Sequence, residues 1–196
     1  MAKKESTFVN MVFVLFIVSF VSSAALGIVY ELTKEPIRMV DINKKNNAIQ
    51  SVVPEFDNTP SNEFFRVPSD LDSLTFYIAK KDSVIVGTAV ETNTKKGFSG
   101  LIRLMVGFAP DGTILHISVL EHKETPGLGD KIDKSKSDFS LQFEGKNPSE
   151  FKIAVKKDRG DVDAITASTI SSRAYCDAVS RAYNAYMKER NREIGK

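Results

Sequence analysis

From Phe8 to Tyr30 the chain runs FVNMVFVLFIVSFVSSAALGIVY, 23 residues without a charged side chain. A helix of about 20 apolar residues crosses the hydrocarbon core of a bilayer. The run therefore predicts a transmembrane anchor over 8–30, with the rest of the chain folding as an attached domain. A secretory signal peptide is the rival reading, because Ser22 to Ala25 supplies small residues after an apolar run. Apolar character resumes through Leu26, Ile28, Val29 and Tyr30, which favours an uncleaved anchor. Lys3 and Lys4 predict a cytoplasmic N-terminus over 1–7 by the positive-inside tendency, although Lys34 and Arg38 follow on the other side. Residues 31–196 then lie outside the cytoplasmic membrane. Ser19, Ser22, Ser23, Ala24, Ala25 and Gly27 permit close packing against other membrane helices.

The whole chain, 196 residues with 42% hydrophobic and 27% charged, fits one modest folded domain plus an appendage. The net charge of +2, with bases and acids interspersed, gives no footprint for nucleic acid. A single cysteine, Cys176, excludes an intrachain disulfide and reads as a small core residue. His116 and His122 lie six apart with no neighbouring ligand pattern, so no protein metal site is expected.

Residues 31–72 predict an amphipathic helix and a connecting loop. The helix, Glu35 to Val53, has Pro36 in its first turn and Pro54 at its end. The loop from Asp57 to Asp72 is interrupted by a short extended piece at Glu63 to Val67. Strand signals then dominate the domain over 73–196. Leu74 to Ala79 and Val84 to Thr92 bracket a Lys81-Asp82-Ser83 turn. Leu101 to Phe108 and Thr113 to Leu120 bracket Pro110-Asp111-Gly112, a hairpin signal. Alternation of His116 and Ser118 with Ile117 and Val119 predicts a sheet with one wet face. A short helical or irregular piece is expected around Ser137 to Phe143, an edge strand at Lys152 to Lys156, and a helix from about Ile170 to Arg192. The class is α+β, an antiparallel sheet flanked by helices.

Three stretches carry the candidate chemistry. In Asp163-Ala-Ile-Thr-Ala-Ser-Thr-Ile-Ser-Ser-Arg-Ala174 five hydroxyls (Thr166, Ser168, Thr169, Ser171 and Ser172) crowd the start of the last helix. Such hydroxyls cap helices by accepting from its first N–H groups. The same place suits an anion, where free N–H groups and the helix dipole converge. In Glu121-His-Lys-Glu-Thr-Pro-Gly-Leu-Gly-Asp130, Gly127 and Gly129 free the backbone to approach a ligand, Pro126 stiffens the entry, and Glu124 and Thr125 offer polar groups. In Lys96-Gly-Phe-Ser-Gly100 two glycines flank Phe98, which would cover a flat ligand.

These stretches, in this order behind one anchor, resemble the FMN-binding domain family of respiratory flavoproteins. The likeness also takes in Tyr30 to Ile37 and the Asp111-Gly112 hairpin, and is strongest to the G subunits of Rnf electron-transport complexes. The C subunits of sodium-translocating NADH:quinone reductases are the related alternative. The family pattern, an Asp, a spacer, then Ser/Thr-Gly-Ala-Thr and a hydroxyl, reads here Asp163, Thr166-Ala167-Ser168-Thr169, Ser171. Ala167 replaces the usual Gly and Ser168 the usual Ala. A left-handed backbone at 167 would therefore put strain on Ala167. Glu124-Thr125-Pro126-Gly127-Leu128-Gly129 matches the family loop throughout.

The resemblance implies a single extracytoplasmic FMN-binding domain over 73–196, with FMN carried covalently as a phosphoester on Thr169. Thr166, Ser168, Ser171, Ser172 and Asp163 stand around the attachment, and Glu124, Thr125, Pro126, Gly127, Leu128, Gly129 and Phe98 are candidates for lining the ring. It implies a magnesium-dependent flavin transferase with FAD as donor, and a flavoprotein subunit relaying electrons in a redox-driven translocase that couples ferredoxin and NAD oxidoreduction to ion transport. Partners are then the other membrane and peripheral subunits of an Rnf-type complex. A different class stays open: a membrane-anchored extracytoplasmic binding module, with the hydroxyls only caps and the glycine loop only a turn. A stand-alone FMN-dependent reductase is a third reading, with no substrate pocket identified in the sequence.

Overall fold

The computed structural model describes residues 7–69 and 73–194. The expected cytoplasmic start with Lys3 and Lys4, the end of the connecting loop at 70–72, and residues 195 and 196 lie outside the described residues.

The described chain opens with α1, Phe8–Val52, a single helix of 45 residues. It is continuous through 31–35, so the amphipathic segment expected from Glu35 is the second part of one helix and Pro36 lies inside it. Proline has no N–H to offer the fourth preceding carbonyl, yet the flanking residues keep helical geometry. Residues 7–44 are exposed throughout, and an 18-residue window within α1 reaches a mean hydropathy of 2.6. The helix is long and apolar enough to cross a membrane.

Residues 44–196 form a second compact unit. Its centre is a five-stranded antiparallel meander: β1, Phe64–Pro68; β2, Ser73–Lys81; β3, Val84–Gly97; β4, Gly100–Phe108; β5, Ile114–His122. All five strands fall on stretches expected to be extended, although β3 runs on past the expected end at Thr92 to Gly97. Asp82 (φ 50°) and Ser83 (φ 66°) make the two-residue β2–β3 turn with both central residues left-handed, the form that suits strand twist. The Asp111 carboxylate accepts from the amide and hydroxyl of Thr113 in the β4–β5 turn, each at 2.9 Å.

One face of the sheet carries Phe76, Val90, Ile102, Leu104 and Val106 against α2, Thr169–Ile194. Ala174, Ala178 and Ala182 are fully buried there, and their small side chains let the helix lie close to β3. Two polar ties fix the approach: Thr92 donates to the Ala178 carbonyl at 3.1 Å and Thr94 to the Asp177 carboxylate at 2.8 Å. Phe108 stacks on Tyr186 with centroids 4.9 Å apart. The alternation predicts a wet opposite face. Instead Tyr77, Ala79, Ala89, Met105 and Leu120 pack under Ala48, Ile49 and Val52 from the end of α1. Beside this second core, Lys45 and Arg103 flank the Glu91 carboxylate at 3.1 and 2.7 Å, and Arg103 reaches Glu121 at 3.0 Å.

The segment between β5 and α2 is built of 3-10 turns at Gly129–Ile132, Asp138–Phe143 and Lys156–Asp158. The expected edge strand at Lys152 to Lys156 does not form. Only Val155 makes a single parallel bridge, to Val162, because Gly160 and the left-handed Arg159 (φ 60°) fold the chain back on Ala154. Ile153 and Val155 satisfy the alternation but serve the α2 core.

Candidate functional site

The β3–β4 hairpin, the loop after β5 and the start of α2 meet around a cavity of about 300 Å³. That volume lies at the small end of the range for small-molecule sites. Its lining is Phe98, Glu124, Thr125, Leu128, Gly129 and the run Ala167 to Ser171. The three stretches singled out from the sequence thus converge on one place, although they are far apart along the chain.

Each wall has a local reason. Gly97 pairs with Gly100, so Phe98 and Ser99 form the tip of the hairpin. Phe98 stands 67% exposed at the cavity mouth, with its ring turned to solvent and not to the core. In the loop after β5, Leu128 N–H and Asp130 N–H both donate to the Thr125 carbonyl, at 3.2 and 3.3 Å. That closes a turn in which Gly127 adopts φ 76° and presents Thr125 and Leu128 to the cavity.

The third wall is the turn into α2. Ser168 N–H donates to Ile165 O, and Ser172 N–H to Ser168 O, both at 3.0 Å. Ala167 sits at φ 61°, the left-handed conformation anticipated for the usual glycine, at a cost of about 1 kcal/mol for a residue with a Cβ. The hydroxyls do not cap the helix. Ser172 is fully buried, its oxygen accepting from Ile165 N–H and its proton given to Ser168 O. Ser171 donates to Glu124 at 2.5 Å. Among the described residues, the amides of Thr169, Ile170 and Ser171 have no protein acceptor, and the Thr169 hydroxyl has no hydrogen-bond partner. A helix start crowded with hydroxyls yet left uncapped presents three N–H groups and the positive end of a 26-residue helix to the cavity.

Some predicted residues stand elsewhere. Ser172 holds the turn from behind, outside the lining. Asp163 lies outside the cavity, paired with Lys156 at 2.8 Å and tied through its backbone to Gln142. Thr166, Pro126 and Gly127 are exposed beside the cavity without lining it. Two lining residues are not among the expected site residues. Ala167 stands out in the sequence only as a substitution, and Ile170 reads as part of the apolar face of α2. Ile170 is 49% exposed, although its spacing before Ala174 and Ala178 matches the buried face of the helix.

A second cleft, of about 450 Å³, lies on the other side of Ile170 and is lined by Val155, Ala174 and Cys176. Paired charges edge it: Arg173 with Asp158 at 2.7 Å, which holds the Asp158 carboxyl below its usual range, and Lys96 with Asp177 at 2.6 Å. Burial pushes the Cys176 thiol up to about 12.

Residues 97–184 match the sequence profile of the FMN-binding domain family. The G subunit of the ion-translocating oxidoreductase complex of Pasteurella multocida (strain Pm70) is 38% identical over 191 residues, covering 91% of this chain and 93% of that protein. The corresponding G subunit from Haemophilus influenzae (strain PittEE) is 37% identical over 161 residues, covering 79% of this chain and 78% of that protein. The chain belongs to the family of G subunits of ion-translocating oxidoreductase complexes. The crystal structure of Shewanella oneidensis NqrC is also similar, at 20% identity and a TM-score of 0.43, covering 68% of this chain and 62% of that one. In this member of the G-subunit family, the matched profile begins at the β3–β4 hairpin and ends within α2. All three walls of the cavity fall inside it.

Proposed function

We propose that this chain relays electrons through FMN held in the cavity between Phe98, the Glu124 to Gly129 loop and the first turn of α2, with the FMN carried as a phosphoester on Thr169. The observation that carries the reading is the half-buried Thr169 hydroxyl, unpartnered among the described residues and at the cavity wall beside three uncapped amides.

The residues present suit the group. A phosphoester retains a negative charge, and the N–H groups of Thr169, Ile170 and Ser171, with the helix dipole, offset such a charge without a basic side chain. Phe98 and Leu128, 67% and 42% exposed, supply the apolar surface that a flat ring system needs on its faces. FMN supplies one- and two-electron transfer when bound, and the surrounding hydrogen bonds and dielectric set its potential. Ala167 in its left-handed conformation leaves the turn open in front of Thr169, and Ser172 holds that turn fixed.

Attachment requires chemistry the cavity lacks. The threonine hydroxyl is a weak nucleophile without an adjacent base. A separate magnesium-dependent flavin transferase would use FAD as donor: the Thr169 Oγ–P bond forms, the pyrophosphate P–O bond breaks, AMP leaves, and the hydroxyl proton passes to a base of the transferase. Asp163, exposed on the approach to Thr169, is available as part of what that enzyme recognises.

α1 serves as the anchor. Its exposed apolar side chains call for a hydrocarbon partner, and the small residues in its span suit packing against the other membrane subunits. In the proposed orientation the N-terminus is cytoplasmic and residues 31–196 lie on the other side of the membrane. There a covalent tether prevents loss of the cofactor. The complex would be of Rnf type, coupling ferredoxin and NAD oxidoreduction to ion movement, with this subunit one carrier in the chain.

The test is flavin fluorescence that survives denaturation. Full-length protein produced with a flavin transferase should give a fluorescent band on a denaturing gel, absent without the transferase and absent in Thr169→Ala. No band, with a control protein flavinylated in the same cells, would contradict covalent attachment.

A further inference from the structure

Among the described residues, Glu124 is the only acidic side chain lining the cavity, and it is 4% exposed. Both its oxygens are committed to the protein. Oε1 accepts from Ser99 N–H at 3.0 Å, and Oε2 accepts from the Ser171 hydroxyl at 2.5 Å. The donors come from the hairpin tip and from α2, 25 and 47 residues away in sequence. Its own N–H donates to His122 Nδ1 at 3.2 Å, which fixes the backbone from which the side chain extends.

Two glycines clear the space. A Cβ on Gly97 would stand 2.6 Å from Oε1, and one on Gly129 would stand 2.6 Å from Oε2 and 2.7 Å from Ser171 Oγ. Neither glycine is in the left-handed region that would otherwise call for it. A Cβ on Gly97 would also stand 2.5 Å from the Gly100 carbonyl oxygen across the hairpin, and both glycines leave the carboxylate room to reach its two donors. Ser99 follows Phe98, and Ser171 lies two residues after Thr169. One carboxylate therefore ties the ring-covering wall to the attachment turn.

We propose that Glu124 is a positioning residue: its two hydrogen bonds hold the Phe98 hairpin tip against the first turn of α2 and so fix the orientation of a flavin attached at Thr169. The inference rests on the FMN reading above. The length of the side chain matters here, and its charge does not. In Glu124→Gln the amide oxygen still accepts from Ser99 N–H and the amide nitrogen donates to Ser171 Oγ, so the tie survives without charge. In Glu124→Asp the charge survives and the tie is one methylene short.

The experiment uses full-length protein produced with a flavin transferase, as parent, Glu124→Gln, Glu124→Asp and Ser171→Ala. Intact mass first establishes whether each chain carries flavin, so a parent without flavin contradicts the FMN reading itself. On the flavinylated chains, visible-region circular dichroism and flavin fluorescence anisotropy report ring orientation. Glu124→Gln should match the parent. Glu124→Asp and Ser171→Ala should lose most of the flavin dichroism, with anisotropy falling toward that of a free tether. Parent-like signals in Glu124→Asp, or loss in Glu124→Gln, overturn the proposal. If Glu124→Asp does not fold, Ser171→Ala decides, and parent-like flavin signals there overturn it equally.

Discussion

The Ser172 hydroxyl accepts from the Ile165 amide at 3.0 Å and donates to the Ser168 carbonyl at 3.0 Å, closing from behind the turn that presents Thr169. A hydroxyl in a crowd of five thus shapes the site without entering it. Ser172→Ala leaves a buried N–H unpartnered, which costs about 1–3 kcal/mol. Thermal unfolding of residues 44–196 should show that loss. Flavin incorporation at Thr169 should slow in the same variant, because the turn is no longer fixed.

Ala167 pays for its φ of 61°. Ala167→Gly removes the Cβ conflict and should stabilise the domain by about 0.5–1 kcal/mol, net of the added freedom of glycine in the unfolded chain. For a domain of this size that corresponds to a rise in Tm of roughly 1–4 °C. An unchanged or lower Tm would show that the turn relaxes without strain.

Much of this architecture was legible in the sequence. The strands announce themselves because Asp82-Ser83 and Asp111-Gly112 can turn and their neighbours alternate. Phe98, Glu124, Thr125, Leu128, Gly129, Ser168, Thr169 and Ser171 do share a cavity. What was not legible depends on contacts distant in the chain. Alternation cannot tell that the end of α1 covers the face bearing Tyr77 and Met105, nor that Ile153 and Val155 are wanted by α2 and not by a sixth strand. Five adjacent hydroxyls look equivalent in sequence. Only the fold separates Ser172, facing Ile165, from Ser171, facing Glu124, and from Thr169, facing the cavity.

Acid should weaken the second core. Burial acts to raise the Glu91 pKa, but Lys45 and Arg103 outweigh it and hold the carboxyl below its ordinary range. A depressed folded pKa contributes stability that is present above the unfolded carboxylate value and lost as pH falls through the folded one. At neutral pH Glu91→Gln should cost about 1–3 kcal/mol, as expected for lost hydrogen bonds to charged partners. In a Tm-against-pH series the gap between parent and variant should narrow below about pH 4.5. A gap that stays constant down to pH 2 would show that the ion pairs contribute nothing.

Cys176 should be inert. With its thiol pushed up to about 12 by burial and only 3% of its surface exposed, the thiolate is absent at pH 8. A maleimide or disulfide reagent should label the native chain at least about tenfold more slowly than the chain in denaturant. Equal rates would place the thiol in solvent at the second cleft.

The most direct test of Thr169 as the attachment point is the intact mass of the full-length chain produced with a flavin transferase, beside Thr169→Ala. The expected result is an increment of one FMN phosphoester on the parent, mapping to the peptide that contains Thr169, and none on the variant. A parent chain without the increment, or a variant that still carries it, would contradict the assignment of Thr169 as the point where the cofactor is held.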